Sequence, residues 1–412
     1  MSSRSQILCR ISGEPLHTVL DLGSQPLGNG FLKPEEFSEE YFYPMAAGFS
    51  EKSMMFQLIE QPEPERMFHE QYAFYSSTSR FMEQHFADFA GYVLKSGFLA
   101  DDSPFVVELG CNDGIMLKHF AEAGMRHLGI EPSRNVAEVA NSRGVRTLSE
   151  FFAEGVAEKI VEKDGQADAF LAANVMCHIP DIHGVVKGIR ALLKPTGVVM
   201  FEDPYLGDVI EKTSYDQIYD EHVFLFSAHS IRYLFGLHGL ELIDVLPQKT
   251  HGGSMRYVLA HFGAYPVGEA VAKLIEKERK LGLDRTATFE RFAEKVGQSR
   301  DDLVGLLKDL KAKGKRIAGY GATSKSTTIL NYCGIGPDLI DYISDTTPIK
   351  QGKFTPGMHI PVKAYEAFNA NPPDYAVLFA WNHAEEIMAK EKAYMEAGGK
   401  WIVHVPEVRV LG

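Results

Sequence analysis

Residues 105–120 read FVVELGCNDGIMLKHF: an apolar run, a turn carrying Gly110 and Gly114, then a stretch patterned as an amphipathic helix. A strand that enters a helix through a glycine turn brings backbone close to a ligand at the carboxyl end of a parallel sheet. The next apolar run, HLGIE, ends in Glu131, about 20 residues beyond Gly110. At that spacing a carboxylate closing the second strand takes both hydroxyls of a ribose. The turn departs from the dinucleotide fingerprint GxGxxG, because it reads Glu108-Leu-Gly110-Cys-Asn112-Asp113-Gly114, with an acid ahead of the first glycine and no third glycine. A carboxylate there repels a pyrophosphate but accepts from an ammonium group. S-adenosylmethionine, with an ammonium, a sulfonium and a ribose, suits the turn better than a nicotinamide dinucleotide; a bare strand-turn-helix is the plain alternative. Glu108, Gly110, Asn112, Gly114 and Glu131 are the expected cofactor residues.

Working outward, strand candidates HLGIE, AFLAANVM and VVMFED alternate with helical runs such as VAEVANSRG and IHGVVKGIRALLKPTG, which predicts a doubly wound parallel sheet. LELIDVLPQ and GSMRYVLAHFG follow as a possible antiparallel edge. Upstream, a long amphipathic helix starts near residue 78. Residues 1–70 are short apolar runs broken by Gly and Pro, a small loop-rich module. Residues 71–264 form the central domain. Residues 265–412 hold a charged helical connector to about residue 313, then strand and helix alternation again, with a second glycine turn in RIAGYGATSKSTTILNYCG. Gly319 and Gly321 precede Thr323, Ser324, Lys325 and Ser326 at a helix start, where N–H groups, hydroxyls and one lysine make a seat for an anion. GxxxxGK[ST] is absent, so this is no Walker loop.

The 412 residues carry 42 Lys and Arg against 55 Asp and Glu, a formal charge of −13, with no basic stripe. Binding to nucleic acid or to an anionic membrane is not expected. The start lacks an apolar core of signal-peptide length, and no long uncharged apolar run follows, so a cytoplasmic protein is expected. Cys9, Cys111, Cys177 and Cys333 lie far apart without a CxxC pair, which predicts neither a disulfide framework nor a metal cluster drawn from them alone.

VELGCNDGIML, AANVMCHIPD, FEDPYLGDVIEKTSYDQIYDEHVFLFS, KTHGGSMRY, GYGATSKST, YISDTTPIKQGKFTPGMHIPV and FAWNHAEEI together carry a resemblance across nearly the whole chain. The sequence resembles the three-domain sugar-nucleotide C-methyltransferases that make branched deoxysugars of the tetronitrose and mycarose type. The resemblance implies an α/β protein with a Rossmann-like class I methyltransferase domain, flanked by the loop-rich N-terminal module and a smaller C-terminal α/β Rossmann-like domain. It implies methylation at C-3 of a dTDP- or GDP-linked 4-keto-6-deoxysugar through an enolate, with S-adenosylmethionine as donor and no obligate protein partner. Moving a methyl from sulfur to carbon needs a carbon nucleophile, and a base with a pKa near 7 suits its formation. His222 in YDEH matches the family's base. Glu221 is assigned to orienting it or touching substrate, Tyr219 to the enolate oxygen and His178 to the sugar or enolate. The likeness adds Asn174 to the donor pocket. For the nucleotide sugar it points to Tyr72, His251, Gly252, Gly253, Arg256, Gly321, Lys325, Asn382 and His383.

One departure concerns metal. The family carries two CxxC pairs that hold a structural zinc in the N-terminal module, and here they read Cys9-Arg-Ile-Ser12 and Ser50-Glu-Lys-Ser53. A serine hydroxyl, neutral at pH 7, is a poor zinc ligand. No metal is expected, and packing by Phe42, Tyr43, Met45, Met54, Met55 and Phe56 is expected instead. O- or N-methylation of a sugar and a catalytically silent nucleotide-sugar-binding protein are the rival readings.

Overall fold

The computed structural model describes residues 7–67, 80–99 and 101–412. In the N-terminal module, β1 (His17–Pro26), β2 (Phe42–Ser50) and β3 (Met55–Leu58) pair antiparallel in that order. Along β2 the period-two alternation turns Tyr43, Met45, Ala47 and Phe49 inward, all buried. Phe42 instead faces solvent at 44% exposure, so it is not one of the packing residues expected of this module; Met55 and Phe56 are. The core does not close within the module. Phe49 stacks on Phe289 with ring centroids 4.2 Å apart, and Phe56 lies 5.5 Å from the same ring. Phe289 belongs to the long helix Thr286–Ala312, so the module shares its core with the connector and the C-terminal domain.

The central sheet comprises β4 (Phe105–Leu109), β5 (Arg126–Ile130), β6 (Thr147–Leu148), β7 (Ala167–Ala173), β8 (Leu193–Pro204), β10 (Leu240–Gln248) and β11 (Ser254–His261), in the order β10-β11-β8-β7-β4-β5-β6. β4 to β8 run parallel, and β11 turns antiparallel against β8 with β10 beyond it. The expected antiparallel edge is thus present. The chain's remaining short strand here, β9 (Phe224–Leu225), leaves this sheet to pair with β3 of the N-terminal module. β4 is apolar on both faces because both are covered: Val107 and Leu109 join one core, Val106 the other. The helix Arg80–Lys95 closes the second core with Phe86, Phe89, Ala90 and Val93, spaced to fall on one face.

In the C-terminal sheet, β12 (Ile317–Tyr320), β13 (Ile343–Asp345), β14 (Val362–Ala364), β15 (Tyr375–Leu378), β16 (Lys400–Val403) and β17 (Arg409–Leu411) lie in the order β14-β13-β12-β15-β16-β17, parallel except for β17. Both parallel sheets reverse strand order beside the strand that feeds a glycine turn, β4 in one and β12 in the other. That is where doubly wound sheets open a crevice. The connector is not merely a solvated charged helix. Glu278, fully buried on the helix Glu269–Leu281, accepts from the Tyr205 hydroxyl, the backbone of Ala228 and His229, and His229 Nδ1. Four donors satisfy the buried carboxylate and fasten the connector to the central domain. Among the described residues no helix is long and apolar enough to cross a membrane.

Candidate active site

At the end of β4 the chain turns through left-handed backbone at Gly110 (φ 65°), Asn112 (φ 48°) and Gly114 (φ 81°). A Cβ at Gly110 would stand 2.3 Å from Val175 Cγ2, so glycine is required there by both sterics and φ. Glu131, closing β5, accepts from the backbone N–H of Asn112 (3.2 Å) and of Ser133 (2.9 Å). It therefore faces the turn, as the spacing predicted. Glu108 is 2% exposed and its Oε2 has no hydrogen-bond partner among the described residues. Burial, reinforced by Glu131, pushes its carboxyl well above the usual range. Asn174 directly follows β7 at φ 57°, its N–H donating to the Glu202 carbonyl and its Oδ1 buried and unbonded among the described residues. Glu108 Oε2 and Asn174 Oδ1 are thus two buried polar atoms left open beside the turn that Glu131 faces, and a polar ligand fits there.

The second group sits in the segment between the helix Leu206–Lys212 and β9. His222 is 4% exposed; its Nδ1 donates to the Gln217 carbonyl (2.7 Å) and its Nε2 accepts from the Tyr219 hydroxyl (2.8 Å). His178, on a short turn after β7, stacks beside it with ring centroids 5.3 Å apart and planes 22° from parallel. The expectation of a histidine titrating near 7 fails here. Burial, then the neighbouring His178, holds His222 well below 6.5, and burial takes His178 down to about 4. Both rings are neutral at physiological pH. His222 thus turns its Nε2 lone pair to the Tyr219 hydroxyl, with the ring held in place by the Gln217 carbonyl.

The C-terminal domain closes on the same cleft. Gly321 (φ 91°) follows β12, and Lys325, second in the helix Ser324–Cys333, places Nζ 3.5 Å from Asn382 Oδ1 and 5.6 Å from the Trp381 ring centroid. Burial lowers the Lys325 pKa, and Asp216 opposes that shift. His251 (φ 54°) is pushed down to about 3 by burial and by Lys325, His383, His85 and His178. Trp381 lies over Gly252, where a Cβ would meet its ring at 2.2 Å, and Gly253 (φ 136°) leaves no room beside Asp208. Lys325, Asn382, His383, His251 and the two glycines are therefore brought together. Arg256 is not free for a ligand: its Nε and Nη2 both bond Glu202 Oε2 (3.1 and 2.9 Å), and its guanidinium lies 3.6 Å from the Phe89 ring centroid. Tyr72 falls outside the described residues.

Comparison with known proteins now assigns the family. Residues 249–406 match the family described as C-methyltransferase C-terminal domain, 79–245 a methyltransferase domain and 9–68 a putative zinc binding domain. The C-methyltransferase NovU of Streptomyces niveus is 36% identical over 406 residues, 98% of this chain and 96% of that protein. The chain belongs to the C-methyltransferase family. A ubiquinone biosynthesis O-methyltransferase of Bordetella avium (strain 197N) is 33% identical over 98 residues, 23% of this chain and 41% of that protein. A solved S-adenosylmethionine-dependent methyltransferase of Anabaena variabilis covers 43% of this chain and 85% of its own at 17% identity and a TM-score of 0.36; the Rossmann-like assignment rests on the strand order itself.

The site of this C-methyltransferase holds residues that sequence reasoning passed over. Asp220, beside the catalytic candidates, is buried, and burial and Glu221 push it up to about 7. Asp203 closes β8 next to Cys177 and is driven up to about 8 by burial. Asp216 accepts from Trp381 Nε1 (2.6 Å) and lies 3.6 Å from the buried His404 ring. Acidic residues inside YDQIYDEH were legible as a cluster, but which of them turn inward was not.

Cys9, Ser12, Ser50 and Ser53, the four positions where the resemblance places zinc ligands, come together. Cys9 Sγ lies 3.2 Å from Ser53 Oγ, and Ser12 Oγ lies 3.3 Å from Ser50 Oγ. Burial opposes ionisation of the Cys9 thiol, yet hydrogen bonds from Ser53 and Ser12 bring its pKa below the usual value. One thiol and three neutral hydroxyls, already hydrogen-bonded to one another, do not fit a four-coordinate zinc.

Proposed function

We propose that this C-methyltransferase methylates C-3 of a nucleotide-linked 4-keto-6-deoxysugar through an enolate, with His222 accepting the C-3 proton. The observation that carries this reading is the His222 ring itself. Its Nδ1–H is spent on the Gln217 carbonyl, so Nε2 is the basic nitrogen, and the bond to that carbonyl strengthens as the ring gains charge. Substrate entering the cleft takes the place of the Tyr219 hydroxyl at Nε2, which frees that hydroxyl to donate to the developing enolate oxygen. Glu221 and His178 flank the pair. S-adenosylmethionine, when bound, supplies an electrophilic methyl carbon. Glu131 would hold its ribose, and Glu108 and Asn174 would accept from its polar groups. The cluster of Lys325, His251, His383 and backbone at Gly321 suits a diphosphate, as a dTDP- or GDP-linked sugar would bring. The four free, buried cysteines accord with a reducing cytoplasm, and we read the N-terminal module as working without zinc.

Mass spectrometry of dTDP- and GDP-linked 4-keto-6-deoxysugars incubated with the protein, S-adenosylmethionine and heavy water tests the reading. With the donor present one added methyl is expected, and with the donor left out deuterium is expected to replace the C-3 hydrogen of the sugar, because a methylated C-3 keeps no hydrogen to exchange. A methylated product whose NMR spectrum puts the methyl on oxygen or nitrogen would overturn it. No product across the panel, despite binding of both ligands, would turn the weight to a silent binding protein.

The pH profile follows from the same geometry. His222 must be neutral to accept a proton, and its pKa lies well below 6.5. The acid limb of kcat/KM, which reports the free enzyme, is therefore expected below pH 6.5. An inflection near 7 that vanishes in Asp220→Asn would belong to the Asp220 carboxyl.

A further inference from the structure

The run QPLGNG, residues 25–30, has no part in the function as described so far, and it lies about 80 residues before the methyl-donor turn in sequence. In the fold it reaches the catalytic segment. Asn29 Nδ2 donates to Glu221 Oε1 at 2.9 Å, and the Gly28 N–H donates to Asp220 Oδ2 at 3.0 Å. The Gly28 carbonyl accepts from Thr327 Oγ1 of the C-terminal domain at 2.8 Å, and Thr328 Oγ1 beside it donates to the Ile218 carbonyl at 3.1 Å. Two residues on, Phe31 lies with its ring centroid 4.8 Å from Lys350 Nζ, which donates to the Ala322 carbonyl. The approach is close enough to require glycine: a Cβ at Gly28 would stand 2.7 Å from Asp220 Oδ1 and 3.0 Å from Ser324 Cβ. One turn of the N-terminal module is thereby gripped between the other two domains at the catalytic segment.

We propose that Asn29 is a positioning residue of the reaction, holding the Glu221 carboxylate beside His222 in its charged form. The inference rests on the reading that His222 accepts the substrate proton, since a carboxylate next to the ring then stabilises the positive charge that appears there. Among the described residues, Asn29 makes the one hydrogen bond to the Glu221 carboxylate. Glu221 is buried, and burial raises its carboxyl above the usual range, while Asn29 and then Lys350 pull it back toward the charged form. Asp220 faces it from the same segment with a second buried carboxyl, and the Cys177 thiol lies close enough to feel the charge of Glu221; that thiol and the ring nitrogens of His178 and His222 lie within 4.8 Å of one another. Each of the two acids takes one donor from this turn, the Gly28 N–H on Asp220 and the Asn29 side chain on Glu221, so removing the Asn29 amide shifts the balance of charge away from Glu221. Asn29 itself is exposed, so its replacement leaves the core intact.

The test uses the full chain labelled with [δ-13C]glutamate, with the Glu221 signal assigned by its absence from Glu221→Gln. In Asn29→Ala the Glu221 titration is expected to move up by about one unit, roughly a tenfold change in its ionisation constant. Thermal midpoint and S-adenosylmethionine affinity should stay at their wild-type values. On a sugar that wild type methylates, kcat of Asn29→Ala should fall roughly tenfold at neutral pH and recover as pH rises, with KM little changed; Asn29→Gln should restore part of the loss. A Glu221 titration identical in wild type and Asn29→Ala would overturn the proposal, as would a kcat loss equal at every pH. A shifted titration in a protein that methylates no sugar would leave the positioning contact standing and remove the substrate reading instead.

Discussion

Replacing His222 with Asn is expected to lower kcat by about 10²- to 10⁴-fold and to leave the calorimetric affinity for S-adenosylmethionine unchanged. The asymmetry comes from how the ring is held. An asparagine amide occupies the place of Nδ1 and can still donate to the Gln217 carbonyl, which His222 bonds at 2.7 Å, so the local backbone keeps its anchor. What is lost is the nitrogen at the Nε2 position, now 2.8 Å from the Tyr219 hydroxyl. A loss confined to kcat marks an interaction needed in the transition state and not in the bound ground state. Deuterium entry beside the ketone should disappear along with turnover, because both begin with the same proton transfer. His178→Asn serves as the comparison: that ring stacks on His222 without lying on the proposed proton path, so deuterium entry should continue there at a reduced rate. Turnover in His222→Asn equal to wild type would remove His222 as the acceptor.

Local pattern made the central domain legible. FVVEL is apolar on both faces because it is buried on both, and two glycines plus an acid at the end of the following strand mark the crevice without any long-range information. Gly110, Gly114 and Glu131 therefore sit where the spacing put them. The chemistry of His222 was less legible, since its residue type announces a base while its basicity depends on burial and on the His178 ring, which is contributed by a different strand end. Arg256 shows the same limit. A cation in HGGSMR reads as a ligand for an anion, yet the register of β11 on β8 sets it directly opposite Glu202, and the carboxylate claims it. Asn29 lies 192 positions from Glu221, so no periodicity could connect them. The signal available was the glycine before it: a Gly-Asn pair in a short polar turn marks a backbone that something approaches closely. Phe42 misled for a simple reason, because a strand at a module's surface shows alternate residues to solvent and only the register decides which.

Introducing three cysteines should convert the N-terminal module into a metalloprotein. The combined variant Ser12→Cys, Ser50→Cys and Ser53→Cys, with native Cys9, is expected to bind one zinc per chain and to melt well above wild type until a chelator is added. The wild-type chain prepared without chelator should carry far less than one. The geometry is already in place: Cys9 touches Ser53 at 3.2 Å and Ser12 touches Ser50 at 3.3 Å, with all but Ser12 fully buried. Hydrogen bonds between neutral groups of this kind contribute about 1 kcal/mol each, whereas a structural zinc held by thiolates has an apparent binding free energy of about 10–16 kcal/mol in small domains. Only part of that would reach the melting temperature here, because the module already leans on a core it shares with Phe289 and the connector helix. Because of that shared core the fold does not depend on closing a small module by itself. Zinc uptake with an unchanged melting temperature would mean that the shared core alone sets the module's stability. Failure of the triple variant to take up zinc would mean that the four side chains, though in contact, do not point to a common centre, and that the serines replaced something other than a tetrad.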